Sequence, residues 1–140
     1  MPVRIGEAVW NGSFLDGNGI MRSKTGTFEV SFSVGSRFEN QTGANPEELI
    51  GAAHAGCFSM ALSKELNDAG FSPESISTRA RVHLEKSDSA FSITHIALLS
   101  QVKCPRISDN IFTPIYQKAQ LACPVSRALG VPISYEAELV

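Results

Sequence analysis

Residues 45–70, NPEELIGAAHAGCFSMALSKELNDAG, decide how this chain folds. Asn45 is a helix cap, and Pro46 suits the first helical position, where an N–H would have no partner. Glu47 and Glu48 place negative charge at the positive end of a helix dipole. Glu48 follows the cap by three residues, the spacing of a capping box. From Leu49 to Leu62 the only clearly polar side chains are His54 and Ser59, so no solvent face exists and the helix must be covered on every side. Gly70 supplies the stop. The run is shorter than the roughly 20 apolar residues that span a bilayer. The pattern therefore predicts a long buried central helix inside a globular protein.

The rest of the composition agrees with that core. A chain of 140 residues, 43% hydrophobic with 8 Phe, has the size and apolar content of one domain covering 1–140. A formal charge of −2 without any basic run offers neither a nucleic-acid footprint nor a polybasic membrane patch. That leaves a small molecule or a second copy of the chain as the expected partner. The N-terminal MPVRIGEAVW has no apolar segment of signal-peptide length and no cleavage pattern, which points to the cytoplasm. Three cysteines, Cys57, Cys104 and Cys123, are too few and of the wrong parity for a disulfide scaffold.

Outward from the central helix, the N-terminal third reads as an antiparallel meander. Its strands are expected at Val3–Trp10, Ile20–Thr25 and Phe28–Val34, the last with Phe28, Val30, Phe32 and Val34 on one face. GSRFENQTGA then reads as a polar loop carrying Arg37 to the start of the helix. On the other side, Ile76–Lys86 alternates as a half-buried strand and pairs as a hairpin with the apolar Phe91–Cys104. Ser108–Ala122 is a helix with Phe112, Ile115, Tyr116 and Ala119 inward, and Pro124 opens a short helix that ends near Gly130. Ile133, Tyr135, Ala137 and Leu139 mark a last strand. Strands, helix, strands, helices and strand make an α+β domain.

Chemistry, if any, sits near the cysteines. Cys57 in an apolar helix reads most simply as a small buried hydrophobe, and on spacing alone that reading is favoured. Reactivity requires a second thiol and a group that stabilises a thiolate, because apolar burial alone raises the pKa. Cys123 and Arg37 are the candidates for those two parts. A metal site built from His54 and Cys57 with Cys104 or Cys123 lacks any CxxC or HxxxH anchor, so no metal or cofactor is expected. His54 is read as a hydrogen-bonded core residue, His83 and His95 as strand residues, and Cys104 as filler at a sheet edge.

NPEELIGAAHAGCFSMAL around Cys57, ACPVS around Cys123 and SRFEN ahead of the helix together resemble the OsmC/Ohr family of thiol-dependent peroxidases. The resemblance covers essentially the whole chain and is closer to the OsmC branch, where the arginine lies just before the central helix, as Arg37 does. It implies antiparallel sheets wrapped around the central helix in an intertwined homodimer. Cys57 would be the peroxidatic thiol, oxidised by a hydroperoxide to a sulfenic acid, and Cys123 the resolving thiol. An external dithiol would reduce the resulting disulfide. Arg37 would stabilise the Cys57 thiolate and polarise the peroxide, with Glu47 holding Arg37. Glu48 is read as the cap partner, and Cys104 lies outside the family pattern.

Helix geometry adds a constraint. Glu47 and Cys57 are ten residues apart, roughly 15 Å along a helix, too far for one arginine to serve both. Gly51, Ala52, Ala55 and Gly56 permit close approach of a second, antiparallel copy, so the site is expected to be shared between two chains. Phe58, Met60, Leu49 and Ile50 are expected to line an apolar pocket favouring organic hydroperoxides over hydrogen peroxide. The competing function class on the same scaffold is a non-turnover redox sensor or a hydrophobic-ligand binding protein.

Overall fold

Three short strands open the chain in a computed structural model that describes residues Met1–Val140. Strands β1 (Gly6–Asn11), β2 (Asn18–Ser23) and β3 (Glu29–Phe32) pair antiparallel in that order. Gly19 is the centre of the meander. It stands opposite Trp10 on one side and Phe32 on the other, whose rings meet at 5.4 Å between centroids. A Cβ there would fall 2.5 Å from the Phe32 ring and 2.8 Å from Trp10, so only glycine lets the two rings approach across it.

The expected apolar face ends two residues early. Val34 is not the end of a strand but the first residue of α1 (Val34–Phe38), so Arg37 lies on a helical turn rather than a loop. The cause is a reciprocal serine cap: Ser36 N–H donates to Ser33 Oγ at 3.2 Å, and Ser33 N–H donates to Ser36 Oγ at 2.9 Å. Ser36 Oγ also donates to Ala44 O at 2.7 Å. Asn45 caps the next helix as expected, its Oδ1 accepting from Glu48 N–H at 2.8 Å. These elements belong to one compact unit, Met1–Leu49.

Helix α2 (Pro46–Asp68) continues into the second unit, Ile50–Val140. There β4 (Ser75–Lys86) and β5 (Phe91–Lys103) form the expected hairpin, irregular between His83 and Leu84. Helices α3 (Asp109–Ala122) and α4 (Pro124–Ala128) lead to β6 (Ile133–Leu139). The last strand pairs parallel with β5, which corrects the expectation of purely antiparallel sheets. The two helices supply the long crossover that a parallel neighbour requires.

The core of this unit is built from one stripe of α2 against β5 and α3. Phe58, Leu62 and Leu66 are fully buried with Ile96 and Val102, and α3 contributes the four inward residues read from its pattern, Phe112, Ile115, Tyr116 and Ala119. Gly51 lets α2 approach β4: a Cβ there would lie 3.3 Å from Val82 Cγ2. It therefore packs on this chain's own sheet, whereas Ala52, Ala53, Gly56 and Met60 are exposed. From Leu49 to Leu62 the helix has no solvent face by composition, yet one chain buries only one face of it. No helix is long and apolar enough to cross a membrane.

Leu62 lies in the centre of this stripe with no exposed surface. Leu62→Ala is expected to lower the unfolding free energy by about 2–5 kcal/mol in urea titration, while Lys64→Ala on the exposed side leaves the midpoint unchanged.

Candidate active site

Two thiols from distant parts of the sequence meet in the second unit. Cys57 sits in the middle of α2, and Cys123 is the residue between α3 and α4, where Pro124 prevents the first helix from continuing. Cys123 is fully buried and Cys57 half-buried, and their sulfurs stand 3.4 Å apart as free thiols. Burial pushes the Cys57 thiol above its ordinary range. The Val125 backbone N–H directed at Cys57 offsets part of this shift, and the neighbouring Cys123 adds to it. Cys104 is free and half-buried, its thiol raised by burial and by Glu74.

Beside the sulfurs runs a buried polar chain. His54, on α2 one turn before Cys57, lies with Nε2 2.7 Å from Ser126 Oγ on α4. Tyr135 of β6 donates its hydroxyl to the same Ser126 oxygen at 3.0 Å. With one proton and two lone pairs, Ser126 Oγ accepts from Tyr135 and still pairs with His54 Nε2 in either neutral tautomer of the imidazole. Nδ1 is buried and has no partner. His54 is thus the core histidine expected from its position, and Ser126 and Tyr135 are polar partners that periodicity did not single out. No group of three or more His, Cys, Asp or Glu side chains comes together to hold a metal ion.

A second arrangement lies within the first unit. Arg37 grips the Glu47 carboxylate through Nε at 3.0 and 3.3 Å and through Nη2 at 2.7 Å. This forked pair is the strong, directional form of an ion pair. Glu47 is buried, and the guanidinium also lies 5.1 Å from the centre of the Phe38 ring. The donors of Arg37 turned away from Glu47 remain open for a polar ligand. The serine-capped turn of α1 sets the direction of this arginine.

Residues 38–137 match the family model described as OsmC-like protein. The chain belongs to the OsmC-like family. Peroxiredoxin OsmC of Escherichia coli strain K12 is 47% identical over 135 residues, covering 96% of this OsmC-like chain and 94% of that protein. The fold is shared with solved structures at low identity. The organic hydroperoxide resistance protein OhrB of Bacillus subtilis aligns with a TM-score of 0.72 at 22% identity, over 97% of this chain and 98% of that one. An OsmC-like protein of unknown function from Vibrio cholerae aligns with a TM-score of 0.79 at 17% identity, over 99% and 100%.

The OsmC-like chain thus pairs Cys57 with Cys123 and Arg37 with Glu47, each pair inside its own unit. The expected pocket lining is corrected. Phe58 is wholly buried against Tyr116 and Tyr135, while Met60 is 77% exposed, so the two point to different sides of α2. A side chain four residues before a core leucine follows the core stripe, whereas Met60 falls off it.

Burial lowers the His54 pKa below the ordinary value near 6.5. The unfolded chain then binds this proton more readily than the folded one, so the contribution to stability is complete above about pH 6.5 and declines as pH falls below it. Urea midpoints are expected to drop between about pH 7 and pH 5, with a smaller drop in His54→Gln. An equal drop in both proteins contradicts the assignment.

Proposed function

We propose that this protein is a cysteine-based peroxidase that reduces organic hydroperoxides, and hydrogen peroxide less well, without a metal or organic cofactor. The observation that carries the reading is the 3.4 Å approach of Cys57 and Cys123 sulfurs beneath an apolar core. The name of the Escherichia coli relative, a peroxiredoxin, and the organic hydroperoxide resistance assigned to OhrB support it.

In this reading Cys57, the more exposed thiol, attacks as the thiolate. Its sulfur takes the terminal peroxide oxygen, the O–O bond breaks, and a proton completes the alcohol, leaving Cys57 as sulfenic acid. Cys123 sulfur then displaces that hydroxyl, which leaves as water, and the two cysteines are joined as a disulfide. An external dithiol returns both to thiols by exchange. Arg37 supplies the cation that the half-buried Cys57 needs and polarises the peroxide through its open donors, while Glu47 fixes the guanidinium plane.

The site is completed by a second copy of the chain in an intertwined cytoplasmic homodimer, each copy serving as one OsmC-like domain. The exposed small and apolar face of α2 at Ala52, Ala53, Gly56 and Met60 supports that assembly. So do Val9, Phe14, Leu15 and Ile20, large apolar side chains left open on the N-terminal meander. The ten-residue separation of Glu47 and Cys57 favours an arginine delivered by the partner.

Steady-state consumption of cumene hydroperoxide, sustained by a dithiol, distinguishes this enzyme from a sensor that oxidises once and stops. Cys57→Ser is expected to abolish consumption. Cys123→Ser should retain one rapid oxidation and form no intramolecular disulfide; a disulfide in that variant assigns resolution to Cys104 instead. Arg37→Ala is expected to raise the Cys57 pKa by about one unit or more and slow attack at neutral pH on the order of tenfold. Unchanged kinetics remove Arg37 from the mechanism.

A further inference from the structure

The dithiol is one of two contacts between the same pair of segments. On α2, His54 precedes Cys57 by three residues, and Ser126 follows Cys123 by three residues across the start of α4. The His54–Ser126 hydrogen bond of 2.7 Å therefore runs alongside the Cys57–Cys123 contact of 3.4 Å. Between them, the Val125 N–H is directed at the Cys57 sulfur. Tyr135 braces Ser126 from β6 at 3.0 Å, so the rung is held from three elements. His54 is wholly buried, and its only polar partner is Ser126.

We propose that His54, Ser126 and Tyr135 are positioning residues that hold the Cys123 segment against α2 and so govern closure of the disulfide. The proposal rests on the peroxidase reading for its biological setting, but its physical content concerns the dithiol alone. A disulfide bond is about 2.0 Å long, so the sulfurs must approach further, and an oxygen stands on Cys57 before they do. During that interval the direct sulfur contact is interrupted by the oxygen, and the polar rung adds to the apolar burial of Cys123 in keeping it within reach. Holding a nucleophile near its target raises its effective concentration.

Losing the rung has a specific chemical cost. If Cys123 arrives late, a second hydroperoxide reaches the Cys57 sulfenic acid first: the sulfur takes a second oxygen, the peroxide leaves as alcohol, and Cys57 becomes sulfinic acid without forming a disulfide. The rung thus selects between a reversible and an irreversible product.

The test follows the full-length protein through mixing with tert-butyl hydroperoxide, acid quench, thiol alkylation and mass analysis of Cys57 and Cys123. Native protein is compared with Ser126→Ala, Ser126→Thr and Tyr135→Phe. Formation of the sulfenic acid is expected to stay within about twofold in all four, whereas disulfide closure slows on the order of tenfold in Ser126→Ala. Ser126→Thr, which keeps the hydroxyl, should restore closure. Tyr135→Phe, which deletes one hydroxyl, should fall between them, and the sulfinic product should rise in the order of slowing. Should Ser126→Ala not fold, Tyr135→Phe carries the same test.

Equilibration with dithiothreitol provides an arm that needs no peroxide. Ser126→Ala is expected to weaken the Cys57–Cys123 disulfide about tenfold, a change of about 30 mV for this two-electron couple. Closure rate and disulfide equilibrium both within twofold of native overturn the proposal. If native protein forms the disulfide by exchange but is not oxidised by hydroperoxide, the peroxidase reading fails while the exchange equilibrium still decides the rung.

Discussion

Apolar burial brings the Cys57 and Cys123 sulfurs to 3.4 Å, and the same burial pushes the Cys57 thiol away from the thiolate that would react. The arrangement around the pair answers this conflict. Pro124 ends α3 at Cys123, so the thiol stands at a break in the helix instead of within it. The turn that follows presents the Val125 N–H to Cys57 and the Ser126 hydroxyl to His54. A backbone amide stabilises negative charge on sulfur only in part, which is why the proposed chemistry calls for a full cation as well.

That cation has its own supporting structure. Arg37 is held in a forked pair with buried Glu47, and its direction depends on the Ser33–Ser36 cap and on the Ser36 bond to Ala44. A carboxylate that takes two of the guanidinium nitrogens fixes the plane of the group and leaves its other edge for a ligand. Glu47 at the N-terminal end of α2 also sits where the helix dipole favours negative charge. The pair is thus prepared in one compact unit and the dithiol in the other.

Much of this was legible in the sequence, for identifiable reasons. Asn45 and Glu48 announced the start of α2, and the inward face of α3 followed from Phe112, Ile115, Tyr116 and Ala119, because caps and periodicity are local signals. The parallel pairing of β6 was not legible, since strand direction in a sheet is set by the crossover and not by residues within the strand. Val34 continues the alternation of β3, but the serines around it encode a helical turn, and the cap outweighs the alternation. Phe58 and Met60, both apolar and two residues apart, occupy different sides of α2, a distinction that apolar character alone does not carry. Ser126 lies inside the ACPVS motif, but no local pattern marks its role, because its partner His54 is 72 residues away.

The central claim is that Cys57 and Cys123 form one redox pair driven by hydroperoxide. It is tested most directly by peptide mass mapping of all three cysteines, reducing and non-reducing, after one equivalent of an organic hydroperoxide. The account predicts a single intramolecular Cys57–Cys123 disulfide with Cys104 left as a thiol. A Cys104-containing disulfide as the main product, or three unmodified thiols, would contradict it.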